Sequence, residues 1–94
     1  MKIADLADLY SVSIAPHNMT SPIGTIAAVH ACAAVPNFLA LEFHCQVIDW
    51  WNDCARGGQP LIEQGYVAVP EKPGLGIDPD EAVLGQHCQA ALWG

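Results

Sequence analysis

Basic side chains are scarce in this sequence. Three lysines and arginines stand against ten aspartates and glutamates, which gives a formal net charge of −7 at pH 7. Such a charge repels phosphate backbones and anionic lipid headgroups, so nucleic acid and charged membrane surfaces are disfavoured as partners. Long apolar runs are missing too. The longest, from Ile23 to Val35, is shorter than the roughly 20 residues that a membrane-spanning helix needs.

A secretory signal is also missing, because the first residues contain neither an apolar core nor a cleavage site. We therefore expect a cytoplasmic protein, in which the four cysteines are not a disulfide framework. Cys32 lies in an alanine-rich stretch and is expected to be a small buried residue. The pairs His44-Cys45 and His87-Cys88 lack the spacing of zinc ligands.

Hydrophobic residues, in contrast, are abundant for so short a chain. They make up 52% of 94 residues. A domain of this size buries only about 60–65% of its unfolded surface, so much of this apolar content has no room in a core of its own. The composition therefore indicates one domain at most, and one that is a piece of something larger.

The first half of the chain predicts an α/β arrangement. An apolar stripe at helical spacing over residues 3–10 predicts an amphipathic helix, and residues 12–15 follow as a short strand. Ser21 is a plausible N-cap before a helix that begins at Pro22 and runs to about residue 35. Residues 38–43 form a second predicted strand. A helix between two strands predicts a βαβ unit, whose strands lie parallel.

His17 and Glu42 follow from this unit as a candidate site. Side-chain alternation puts both on the same face, and parallel strands bring their carboxyl ends to the same edge. Catalytic groups of α/β enzymes lie at that edge. Each residue also has an ordinary structural interpretation, since a histidine after a strand often caps a loop and a strand glutamate often faces solvent. A buried ionised carboxylate without a partner would be costly, however, so Glu42 is expected to have a partner or a function.

The second half of the chain predicts an extension rather than more of the βαβ unit. We divide the chain into residues 1–45, the strands and helices, and residues 46–94, which contain a loop, a short strand over 65–69 and a closing helix. That helix is predicted to begin with Asp78 as N-cap and Pro79 at its first position, and to reach about residue 92.

Five motifs carry a resemblance to a known family. Together they resemble the C-terminal end of the mandelate racemase/muconate lactonizing branch of the enolase superfamily, with particular likeness to its acid-sugar dehydratases of the galactonate type. The likeness extends from Lys2 to about Cys88. The motifs are Ala15-Pro16-His17-Asn18, Ser21-Pro22-Ile23-Gly24, Pro36-Asn37-Phe38, Leu41-Glu42-Phe43-His44 and Pro73-Gly74-Leu75-Gly76-Ile77.

The resemblance implies a modified TIM barrel, of which this chain would supply a helix, strand 7, a helix, strand 8 and a tail returning toward a capping domain. It implies that His17 is the acid/base that takes the proton next to a carboxylate. Glu42 would be the carboxyl group that hydrogen-bonds the enediolate, which requires it to be protonated or to share a proton, and its apolar strand would favour that. Asn18 and His44 would contact a sugar-acid substrate.

The same resemblance implies a magnesium ion held by carboxylates on earlier strands, so no metal ligand is assigned here. A complete barrel needs roughly 200 residues or more, and we therefore expect a C-terminal fragment that is inactive alone. It would self-associate or pair with the missing barrel segments. The alternative hypothesis is a non-catalytic association module that uses the exposed barrel edge.

Overall fold

The computed structural model describes residues 1–45 and 48–87 of the chain. Its helices are α1 (Lys2–Leu9), α2 (Pro22–Ala33) and α3 (Glu81–His87), and a short 3₁₀ turn spans Asn52–Cys54. None of the helices in the described ranges is long and apolar enough to cross a membrane.

The predicted amphipathic helix is confirmed as α1. It ends in a tight turn where Ser11 adopts a left-handed backbone (φ +56°) and the N–H of Val12 donates to Ala7 O at 2.9 Å. Only Ala4 of this helix is buried. The apolar stripe that predicted the helix therefore faces outward in this chain.

The second predicted helix is confirmed as α2, and it supplies much of the core. The Ser21 hydroxyl accepts from the Gly24 N–H at 3.3 Å, which satisfies one of the amide groups left free at a helix start. Pro22 occupies the first helical position, as expected. The inward face of α2 is buried, with Ile26 only 1% exposed. The helix ends at Ala33, two residues before the predicted limit.

Two segments of the chain, residues 12–16 and 37–42, run side by side and are called the paired segments. A parallel bridge joins Ile14 to Phe38, with the Ile14 N–H donating to Asn37 O and the Leu39 N–H donating to Ile14 O, each at 2.9 Å. The parallel course agrees with the βαβ prediction. Regular strands over 12–15 and 38–43, however, are not formed in the described chain. Pro16 has no N–H, so the ladder of backbone hydrogen bonds between the paired segments is interrupted at this residue.

The Asn37 side chain links the paired segments to α1. Its Nδ2 group donates to Ala4 O at 3.0 Å and to Val12 O at 2.9 Å. Two carbonyl groups from separate parts of the chain are thereby satisfied by one amide, which fixes where the first paired segment leaves α1.

The strand predicted over residues 65–69 is wrong. Glu63 and Tyr66 instead form an antiparallel bridge and exchange two backbone hydrogen bonds of 2.9 Å. Gln64 and Gly65 between them both have a positive φ, +51° and +83°. This pattern is typical of a two-residue hairpin turn, so Gly65 turns the chain rather than opening a strand.

The closing helix begins later than predicted. Asp80, rather than Asp78, caps α3, because its carboxylate accepts from the N–H groups of Ala82 and Val83 at 3.1 Å each. Pro79 instead bridges Ala55 in an antiparallel pair. That pairing holds the backbone extended just before Asp80, so a helix cannot start at Asp78. The predicted continuation beyond residue 87 lies outside the described residues.

Candidate active site

His17 and Glu42 lie together, as the parallel arrangement predicted. His17 follows the first paired segment directly, and Glu42 ends the second. Nδ1 of His17 contacts Oε2 of Glu42, with the two side chains 74% and 38% exposed. An ionised carboxylate only accepts hydrogen bonds, so the proton of a neutral His17 belongs on Nδ1 and Nε2 is left with a free lone pair.

A one-residue offset between the paired segments sets the position of Glu42. Continuing the register of the Ile14–Phe38 bridge would direct the Leu41 N–H to Pro16 O. The Glu42 N–H donates to Pro16 O instead, at 3.2 Å. One extra residue on one of two paired segments is the defining feature of a β-bulge, which often re-aims a side chain beside an active site.

His44 makes a second contact with the same carboxylate. Its Nε2 lies 2.6 Å from Glu42 Oε1, and its ring centroid lies 6.2 Å from that of His17. Glu42 therefore accepts from two imidazoles, one on each carboxylate oxygen. This contact was not predicted from the sequence, although residues two apart along an extended segment share a face.

The protonated state expected for Glu42 is not favoured here. The hydrogen bond from His44 lowers the pKa of the Glu42 carboxyl below its usual value of 4.5, with the His17 hydrogen bond and both imidazole charges acting in the same direction against desolvation. The expectation from an apolar strand missed that two donors would reach this carboxylate. Glu42 is therefore ionised at neutral pH in this arrangement.

Asn18 is placed in the core with its side chain turned inward. It is 4% exposed, and its Nδ2 donates to Thr25 Oγ1 at 3.2 Å. Its backbone N–H points toward Glu42 Oε2 at 3.4 Å. The predicted substrate contact of Asn18 stays a prediction, while its observed bonds tie the residue after His17 to α2.

Two cavities adjoin the cluster of His17, Glu42 and His44. One of about 530 Å³ runs along the second paired segment to Glu42 and is bounded opposite by residues such as Tyr66. The other, of about 390 Å³, is lined by His44, Trp50, Trp51 and His87 among others. The rings of Trp50 and His87 stack at 3.8 Å, a contact that sequence reasoning missed.

A metal centre is not provided by these groups. Across residues 1–45 and 48–87, no set of three or more His, Cys, Asp or Glu side chains is arranged to hold an ion. The described residues therefore do not fit a magnesium site by themselves.

Comparison with known proteins gives the chain its family. Residues 1–83 match the model of the family described as enolase C-terminal domain-like. The chain is 48% identical to a D-xylonate dehydratase from Haloferax volcanii over 92% of its own length and 21% of that protein. It is 33% identical to a D-gluconate dehydratase from Thermoproteus tenax over 93% of its length and 18% of that protein.

A crystal structure gives the same result. A mandelate racemase/muconate lactonizing enzyme-like protein from Rubrobacter xylanophilus superposes with a TM-score of 0.90 at 44% identity, over 96% of this chain and 23% of that one. The chain thus spans about a fifth of the length of the curated relatives it matches. Its helix between parallel paired segments fits the α/β, TIM-barrel-like domain of this superfamily. The chain belongs to the enolase C-terminal domain-like family, among the mandelate racemase/muconate lactonizing enzyme-like members of the enolase superfamily.

Proposed function

We propose that this chain is the C-terminal part of an acid-sugar dehydratase in which His17 and Glu42 carry the proton chemistry. The observation that carries the proposal is the contact between His17 Nδ1 and the Glu42 carboxylate at the ends of neighbouring parallel segments. The names of its relatives, D-xylonate and D-gluconate dehydratase, support a sugar acid as the substrate class.

His17 acts as the base in this proposal. With Nδ1–H bonded to Glu42, its Nε2 lone pair takes the proton from the carbon next to the substrate carboxylate, and the C–H electron pair moves into the forming enediolate. Glu42 stabilises the resulting imidazolium, because a carboxylate in contact with a cation is favourable. An imidazole suits this step since its pKa lies near neutral pH.

Glu42 has a second role later in the same step. The Nδ1 proton of the imidazolium can move along its contact to Oε2; the lowered pKa of Glu42 opposes this transfer, and the negative charge that develops on the enediolate favours it. His17 then becomes neutral and Glu42 gains an O–H group, which can donate to the enediolate oxygen, the role that the family resemblance implies. The ionised ground state of Glu42 and a protonated working state are therefore joined by one proton transfer along an existing contact.

The rest of the site is proposed to come from other parts of the parent protein. Magnesium dependence belongs to that protein, with ligands from segments outside this chain, and no step above passes through the ion. Residues 1–45 would supply the end of the barrel, and residues 46–94 an extension toward a capping domain. We expect the isolated chain to show no stoichiometric magnesium site tighter than about millimolar in calorimetric titration, because Mg²⁺ demands a near-ideal set of oxygen ligands.

A hybrid enzyme tests the proposal. The matching fifth of the Haloferax volcanii D-xylonate dehydratase is replaced by this chain, and dehydration and solvent exchange of the substrate's α-proton are measured. His17→Asn keeps a donor toward Glu42 but removes the base, so both rates should fall by about 10²–10⁴-fold. His30→Asn is the matched control, because His30 bonds Leu75 O at 3.0 Å rather than Glu42.

Glu42 variants refine the same test. Glu42→Gln keeps the shape and a donor, so it should lose less activity than Glu42→Ala, for which about 10²–10³-fold is expected. Near-normal proton exchange in a well-folded His17→Asn hybrid would show that His17 is not the base.

The alternative function is a non-catalytic association module, and a specific observation favours it. Ile3, Leu9 and Leu39 are at least 70% exposed, an unusual amount of apolar surface for so small a body. We expect the isolated chain to self-associate in light scattering, and Ile3→Glu with Leu9→Glu to reduce the associated fraction. A stable monomer with well-dispersed amide signals would count against this module.

A further inference from the structure

We propose that His44 is a positioning residue for Glu42: its Nε2–H holds one carboxylate oxygen so that the other meets His17. The inference rests on the proposed function of Glu42 and assigns His44 a role that acts through that carboxylate rather than on the substrate. The sequence-based hypothesis, a substrate contact, makes different kinetic predictions, given below.

The division of donors between the two oxygens carries the argument. Among the described residues, Oε1 of Glu42 is bonded by His44 alone, at 2.6 Å, whereas Oε2 receives His17 and the Asn18 backbone N–H. The terminal torsion of a glutamate is broad and two-fold, so one bonded oxygen leaves the carboxylate free to swing. A donor on each oxygen removes that freedom. His44 supplies the donor to Oε1.

His44 has an anchored backbone, while its side chain is 54% exposed. It lines the cavity of about 390 Å³ with Trp50 and Trp51, next to the stacked pair of Trp50 and His87. Its neighbour Cys45 is buried and its thiol contacts Thr20 O at 3.3 Å, which anchors the backbone just after the histidine. The anchored backbone therefore helps to place the His44 ring beside the Glu42 carboxylate.

The titratable groups around this pair are few. His17 and His44 face Glu42 from the two paired segments, and Tyr66 lines the cavity that reaches it. On the side of His44, the cavity also carries Cys45, Cys54 and His87. Loss of His44 therefore removes one of two imidazole donors. The pKa of Glu42 should then rise toward its usual value, since the His44 hydrogen bond is the largest influence lowering it.

The test compares two substitutions of His44. His44→Gln places an amide N–H near the position of Nε2, and His44→Phe keeps a ring in the cavity without a donor. The pKa of Glu42 is followed by carboxyl ¹³C NMR in the full 94-residue chain, which has four glutamates, with Glu42→Gln assigning the signal. We expect the pKa to rise in His44→Phe and to stay near the parent value in His44→Gln. His87→Phe is the control and should leave it unchanged.

The hybrid dehydratase supplies the second readout. His44→Phe should lower kcat roughly 10- to 100-fold, the range typical of partners that orient catalytic or metal-binding groups. KM should change little, and His44→Gln should restore most of the activity. A raised KM with unchanged kcat would overturn the proposal in favour of substrate binding.

The Glu42 pKa and the activity of the hybrid test the positioning role of His44 separately from the proposed dehydratase function. An unchanged Glu42 pKa in His44→Phe would overturn the positioning role whatever the hybrid does. A hybrid without activity, together with a shifted Glu42 pKa, would overturn the dehydratase proposal and leave the positioning contact supported.

Discussion

Helices α1 and α2 differ in how well their apolar patterning matches the burial of their side chains. α1 has the clearer apolar stripe, yet Ile3 and Leu9 are 82% and 81% exposed. α2 is apolar nearly all round, and its inward face is closed, with Ile26 1% exposed. Amphipathic periodicity normally marks the face that a helix buries. The described residues therefore leave the stripe of α1 uncovered, whereas they bury the inward face of α2.

The cavity beside α1 supports the same conclusion. A cavity of about 440 Å³ lies between α1, the first paired segment and α2, lined by residues including Met1, Ile3, Pro16 and Val35. The chain spans about a fifth of the length of its curated relatives, and under the proposed function the rest of the enzyme would fill such a space. Three predictions test the contrast between the helices and one tests the Glu42 carboxylate; they run from the largest expected effect to the smallest.

Ile26→Ala in α2 should have the largest effect. Removing a fully buried isoleucine costs about 2–5 kcal/mol through lost transfer energy and the cavity left behind. Urea denaturation followed by circular dichroism measures the change. A cost under about 1 kcal/mol would mean that α2 is not the core of the isolated chain.

Ser21→Ala should have an intermediate effect on α2. It leaves the Gly24 N–H without its side-chain acceptor and should lower the free energy of unfolding by about 0.5–2 kcal/mol. α1 has no side-chain cap at Met1, so Met1→Leu is a matched control with no expected loss. Equal losses in both variants would contradict the capping role of Ser21.

The Glu42 carboxylate should make stability depend on pH in a defined direction. Its pKa is lowered in the folded chain, first by the His44 hydrogen bond, so its contribution is present above the usual 4.5 and is lost as pH falls through the folded value. Melting temperatures recorded from about pH 6 down to about pH 3 should fall less steeply for Glu42→Gln than for the parent chain. A steeper fall in the variant would refute the lowered pKa.

Leu9→Ala in α1 should have the smallest effect in the isolated chain. The side chain is largely exposed, so the free energy of unfolding should change by less than about 0.5 kcal/mol. Under the proposed function, the same substitution should cost more in the hybrid dehydratase, because other segments of the enzyme would pack against the α1 stripe. Equal effects in both contexts would contradict the interpretation of the α1 stripe.

The parts of the fold that could be predicted are those set by local rules. The start of α2 followed from Ser21 and Pro22, and the meeting of His17 with Glu42 followed from side-chain alternation and parallel pairing. The start of α3 could not be predicted in the same way. Asp78 and Asp80 are equally good caps locally, and only the distant pairing of Pro79 with Ala55 decides between them.

The sequence predicted that His17 and Glu42 would be neighbours, but it did not predict the charge state of the carboxylate. The ionised state of Glu42 depends on the hydrogen bond from His44, two residues further along the chain. The stack of Trp50 on His87 joins residues 37 apart, beyond any periodic pattern. Contacts of this kind depend on where loops bring side chains, which no local spacing encodes.

Hydrogen bonds to the residues on either side of His17 determine when its backbone loses conformational entropy. Pro16 is held through its carbonyl by the Glu42 N–H, and Asn18 is fastened to Thr25 by its side chain. Fixing the backbone of one residue costs roughly 1–2 kcal/mol in conformational entropy. For the His17 backbone that loss is incurred once, when the chain folds. If His17 has the proposed role, the binding energy of a substrate would not be needed to order this backbone.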